Sequence, residues 1–140
     1  MGMDLHGRNP KNEVGKYFRA DIWSWRPIYS AIVESEIIKD YKMLDLMSYN
    51  EGAGPENQET CDKLAFWFEG RAIGYGDHDL IGLGEFASGK CRDMINEQIS
   101  IIEETIPASF KGDRPVYATD GAHLRKFITF LRNCGGFRVY

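Results

Sequence analysis

The ending of this chain constrains its fold more than any other stretch. Asp120 precedes an apolar stripe at Leu124, Phe127, Ile128 and Leu131, and Gly135-Gly136 interrupts the stripe just before Phe137-Arg138-Val139-Tyr140. A carboxylate at a helix start accepts from the free amides of the first turn. The three- and four-residue spacing puts the apolar residues on one helical face, and glycine supplies the left-handed conformation that ends a helix. The stretch therefore reads as a capped helix, a sharp turn and a strand. The start mirrors it, because Met1, Met3 and Leu5 alternate with Gly2 and Asp4 at the period of a half-buried strand. Short strands at both ends with helices between predict an α+β fold: a small mixed or antiparallel sheet joining the N- and C-terminal strands, packed by about four helices. Residues 1–140 are read as a single domain, the usual size for one hydrophobic core.

Between the ends, Gly7 to Gly15 reads as a loop, followed by Tyr17-Phe18-Arg19 and Ile22-Trp23-Ser24-Trp25-Arg26. Pro27 is placed as the first residue of a helix, where its missing N–H is no loss. Ile28, Ala31 and Ile32 form the face of that helix, extended by Ser35 and then Ile37, Ile38 and Tyr41. After the loop 50–55, Thr60 is expected to cap a helix with Asp62 in its first turn, Cys61, Leu64, Ala65 and Phe68 on its face, and Gly70 at its end. Residues 70–84 read as loop or a short hairpin. A long helix is expected over 87–106, closed by Pro107, and Val116-Tyr117 as a strand.

Composition excludes several classes. With 43% hydrophobic and 13% aromatic residues the chain is not disordered. It has no apolar run near about 18 residues, so no membrane helix is expected. The beginning lacks the basic and apolar regions of a signal peptide. Cys61, Cys91 and Cys134 show no CxxC spacing, which predicts reduced thiols in the core of a cytoplasmic protein. The net charge of −4 is unevenly spread: 43–106 holds 4 Lys/Arg against 13 Asp/Glu, whereas 107–140 holds 6 against 2. The acidic block reads either as solvated helix faces or as a contact for a partner with a basic surface.

Candidate chemistry is sparse. Gly84-Glu-Phe-Ala-Ser-Gly89-Lys90-Cys91 matches the phosphate-loop pattern except at its last position, where Cys91 replaces the hydroxyl that binds Mg²⁺. Nucleotide hydrolysis is therefore not expected, and Lys90 is kept as a candidate anion contact at a helix start. Asp77, His78 and Asp79 are weak candidates for a metal site, with His6 and His123 as further donors. Adjacent side chains diverge, so a polar turn is the plainer reading. No cofactor is implied. The densest feature is Tyr17, Arg19, Trp23, Trp25 and Arg26: tyrosine, tryptophan and arginine dominate binding surfaces, and arginine beside aromatic rings suits a base or an anion. The plain alternative places Phe18, Trp23 and Trp25 in the core.

Three blocks together carry a resemblance: Met1-Gly-Met-Asp-Leu-His-Gly with Asn9-Pro10, then Gly15-Lys-Tyr-Phe-Arg19 running into Trp23-Ser-Trp-Arg-Pro27, then Phe127-Ile-Thr-Phe-Leu-Arg-Asn-Cys-Gly-Gly-Phe137. They resemble a family of small uncharacterised proteins of phage and bacterial genomes that open with MGMD followed by YFR and WRP. The resemblance brings no catalytic residues. It implies an accessory protein of a mobile element, a setting in which some small proteins bind and block host defence machinery. The expectation is thus a non-enzymatic binding protein acting on a host protein through the acidic surface or the aromatic–arginine block. The alternatives are a small-ligand or nucleotide-binding protein using that block, with Lys90, and a metal-dependent hydrolase. Binding to nucleic acid is disfavoured by the net charge.

Overall fold

The computed structural model describes residues 2–87 and 117–140. Its elements run β1 (Gly2–Gly7), β2 (Tyr17–Asp21), α1 (Ile22–Ser35), α2 (Tyr41–Met47), α3 (Gln58–Ala72), β3 (Leu80–Ile81), β4 (Thr119–Asp120), α4 (Gly121–Asn133) and β5 (Phe137–Val139). The main sheet has the order β2-β1-β5 and is antiparallel, with Leu5 opposite both Phe18 and Val139. The N- and C-terminal strands meet, and the four described α-helices complete an α+β architecture. β3 and β4 form a separate two-stranded ladder.

Strand alternation divides the sheet into two faces. Met3, Leu5, Phe18, Ala20, Phe137 and Val139 are buried, while His6, Tyr17, Arg19 and Arg138 face solvent. Under the buried face, α3 and α4 supply Leu64, Phe68, Leu124, Phe127 and Leu131, and α1 adds Trp25, Ile28 and Ile32. These side chains form one continuous core cluster. Phe127 packs edge-on against Trp25 and Phe68, the T-shaped arrangement that aromatic quadrupoles favour.

The ending forms as expected. Asp120 Oδ1 accepts from the His123 amide at 2.7 Å, and Gly135 and Gly136 turn the chain with φ of 67° and 92°. Elsewhere the caps outrank other signals. Asp21 Oδ1 accepts from Ser24 N at 2.8 Å, so α1 begins directly after β2 and Pro27 lies inside it. The expected start at Pro27 is thus corrected: a capping carboxylate is worth about 0.5–2 kcal/mol, and α1 forms although Pro27 cannot donate to the Trp23 carbonyl. Likewise Asn57, not Thr60, caps α3, its side chain accepting from Thr60 N at 2.9 Å. Consequently Glu59, not Asp62, sits in the first turn. Gly70 does not end α3, which runs to Ala72.

Ile37, Ile38 and Tyr41 do not prolong the face of α1. Glu36 takes the left-handed conformation (φ 57°), and Asp40 starts a new short helix. Of the strand expected at Val116-Tyr117, Tyr117 is not in a strand and Val116 lies outside the described residues; β4 forms at Thr119–Asp120. Of the helix expected over 87–106, Ala87 belongs to the 3₁₀ turn Gly84–Ala87 and residues 88–106 lie outside the described ones.

Candidate functional site

The residues of the aromatic–arginine block occupy three different environments. Trp25 is fully buried, and its indole N–H donates to the Met47 carbonyl at 3.1 Å. Its placement on a contact surface is therefore corrected, since reaching a ligand would mean exposing the largest side chain of the core. Trp23 is half-buried and packs on Tyr117, with ring centroids 5.0 Å apart. Arg26 lies over the same Tyr117 ring at 4.9 Å and donates to its hydroxyl at 3.0 Å. Tyr17 and Arg19 alone stand on the solvent face of the sheet. The reason is the join at Asp21: strand alternation governs the residues before it and helical periodicity those after.

On that solvent face Asp4 accepts from both the Tyr17 hydroxyl and Arg19 Nη1, the latter at 2.8 Å. The Tyr17 hydroxyl, with Arg19 beside it, holds the Asp4 carboxyl below the usual carboxylate range. The His6 ring lies between Tyr17 and Tyr140 at centroid distances of 5.2 and 5.5 Å. His6, Arg138 and Tyr140 thus join Tyr17 and Arg19 on one surface. Only the register, which sets residue 6 opposite residues 17 and 138, brings them together.

Beside β2 runs a groove of about 690 Å³ between that strand and α4. Val14, Tyr17, Phe18 and Arg19 form one wall, and His123, Lys126 and Thr129 are on the other. Asp77 and Arg125 close one end, joined by an ion pair of 2.6 Å, and Arg125 also donates to the Tyr75 carbonyl. Lys126 has no ion pair among the described residues. The groove is not legible as a unit in the sequence, because its walls are more than a hundred residues apart in the chain. A partial signal existed in the lysine and arginines on the polar side of the terminal helix stripe.

Among the described residues, the strand wall of this groove is an unpaired edge. The Gly7 amide donates to the Lys16 carbonyl at 3.0 Å. Given the register, the backbone groups of Phe18 and Ala20 then turn toward β1, while those of Tyr17 and Arg19 turn outward.

The remaining candidates separate from this site. Asp77 is committed to Arg125, and Asp79 accepts from the Gly76 amide at 2.6 Å, while His78 is exposed. No cluster of three His, Cys, Asp or Glu side chains able to hold a metal occurs among the described residues. Of the near-phosphate-loop, Gly84–Ala87 forms a 3₁₀ turn against α1, where the Glu85 amide donates to Ser30 Oγ at 3.0 Å; Lys90 and Cys91 lie outside the described residues. Cys61 and Cys134 are free and buried. A hydrogen bond with Cys134 and burial push the Cys61 thiol well above its usual range. Within the acidic block, Glu59 pairs with Lys63 and Glu69 with Arg132. A second groove, of about 740 Å³, runs between α3 and α4, flanked by the strongly exposed Phe66 and Ile73.

No helix among the described residues is long and apolar enough to cross a membrane. Neither protein-family models, nor curated proteins, nor solved structures provide a match to this chain.

Proposed function

We propose that this chain is a non-enzymatic binding protein whose ligand is another protein, and that contact is made along the groove between β2 and α4. One observation carries the reading: a strand edge bearing Tyr17 and Arg19, unpaired among the described residues, lies beside a groove whose other wall presents Lys126. Guanidinium, ammonium, phenol and free backbone groups are the chemistry of recognition, and tyrosine and arginine are the side chains that anchor interfaces. The resemblance to small phage and bacterial proteins supports a host protein, such as a defence component, as the partner. The acidic block is the weaker contact, because three of its described carboxylates, Glu59, Glu69 and Asp77, are already paired within the fold.

Photo-crosslinking in host cells tests this. A crosslinking residue replacing Tyr17 should form a discrete protein adduct, and one replacing the exposed Tyr41 on α2 should not. Arg19→Glu combined with Lys126→Glu should abolish the Tyr17 adduct. Equal adducts at both positions, no adduct at Tyr17, or survival of the adduct after charge reversal would each overturn the reading.

A further inference from the structure

The sheet's free edge and the charge of its groove define what the partner presents. At the opposite edge, β5 is already covered: the Phe137 and Val139 amides donate to the Pro55 and Ala53 carbonyls, both at 2.9 Å, and Gly52 N donates to the Val139 carbonyl at 2.7 Å. The fold thus completes β5 with an extended segment of its own chain. Among the described residues no backbone does the same for Tyr17 and Arg19. Their amides and carbonyls face the groove two residues apart, the repeat at which an added strand pairs.

We infer that the groove receives an extended acidic segment of the partner, which adds to β2 as a fourth strand of the sheet; this rests on the binding function proposed above. Paired at the usual 4.7–4.9 Å strand spacing, such a segment would run along the groove between β2 and α4. Its side chains would alternate between the solvent face, beside Tyr17 and Arg19, and the α4 side, toward His123 and Lys126. The charge argument is local. Arg19, Arg125 and Lys126 line the groove. Asp4 and Asp77 balance the charge of two of these cations, but each guanidinium carries five donors, more than Asp4 takes from Arg19 or Asp77 and the Tyr75 carbonyl take from Arg125. Lys126 has no ion pair among the described residues. A lining of this kind attracts carboxylates and repels basic strands, although the whole chain carries a net charge of −4. Brevity and charge also keep the edge from pairing indiscriminately with other strands.

The test selects displayed random peptides against the full chain and follows the best binder by amide exchange. Aspartate- and glutamate-rich sequences should be enriched, and the Tyr17 and Arg19 amides should become protected. N-methylation of the peptide at alternate residues should weaken binding at least tenfold in one register and leave the other nearly unchanged. Lys126→Glu should weaken it as well. If peptides bind but those two amides exchange as before, or methylation shows no alternation, strand addition is wrong while the groove reading stands. Enrichment of basic or neutral sequences overturns the acidic assignment. If no peptide is enriched although the Tyr17 adduct forms in cells, the partner does not present a linear strand; loss of the adduct too removes both readings. A single-stranded oligonucleotide that protects the same amides would assign the cations to phosphate and overturn the proposal.

Discussion

The sheet finishes its two edges in different ways. At β5 the chain returns on itself: residues 52–55 pair with the outward groups of Phe137 and Val139. Arg8 fastens this cover, its Nε donating to the Pro55 and Phe137 carbonyls at 3.1 and 3.3 Å and its Nη2 to the Gly54 carbonyl at 3.1 Å. At β2 the outward groups meet a groove, and the arginine there, Arg19, holds a carboxylate on the surface. One arginine closes an edge by satisfying backbone; the other leaves an edge open and charges its border. The difference separates an edge whose backbone groups are satisfied within the fold from one whose outward groups have no backbone partner among the described residues.

Substitutions on the two edges should therefore have opposite readouts. The largest stability loss is expected at the covered edge, where Phe137 is fully buried against Phe130. Phe137→Ala should lower the unfolding free energy by roughly 3–5 kcal/mol in a denaturant titration. Next comes Arg8→Ala, which strips a charged donor from three carbonyls and should cost roughly 1.5–3 kcal/mol. A loss below about 0.5 kcal/mol would mean that the cover holds without its clasp. At the open edge, Tyr17→Ala and Arg19→Ala should each stay within about 0.5 kcal/mol of the parent while weakening partner binding. If they destabilise the fold as Arg8→Ala does, the two edges are not distinct.

Titration offers a finer comparison. Beneath the turn into β5, the hydrogen bond between Cys61 and Cys134, with burial, raises the Cys61 thiol above its unfolded value of 9.0, while the same bond lowers the Cys134 thiol. Above pH 9 the unfolded chain therefore gives up both protons, and the folded one keeps that of Cys61. A raised thiol contributes stability that is present below that value and lost as pH climbs past it. Melting curves should thus show an alkaline loss above pH 9 that is reduced in Cys61→Ala. At β2 the sign reverses: Asp4 is lowered from 3.8 by the Tyr17 hydroxyl and then Arg19, so its pairing persists above that pH and is released as pH falls below it. Because Asp4 lies at the surface, this release should appear in the NMR shifts of Tyr17 and Arg19 with little change in melting temperature.

Local chemistry made much of the fold legible. The helix Gly121–Asn133, its Asp120 cap, the paired glycines and the terminal strand all follow from residues within one turn of each other, and so do the buried faces of α1 and α3. Errors arose where two local signals competed. Pro27 and Thr60 both read as helix starts, but Asp21 and Asn57 lie a few residues upstream with side chains that cap. The candidate site was legible only in part. Tyr17 and Arg19 stand out in the sequence as candidates, but their separation from Trp25 depends on the exact residue where strand gives way to helix.

What the amino-acid sequence determined alone is the set of elements and the faces they bury, because hydrophobic period and capping act over a few residues. What tertiary structure decided is how the two strand edges are finished. The antiparallel register turns Tyr17 and Arg19 outward, a distant segment at 52–55 closes β5, and α4 from the far end of the chain supplies the second wall of the groove. Such pairings depend on which backbone groups remain unsatisfied once the core is packed, a property of the assembled sheet and of no single stretch of the chain.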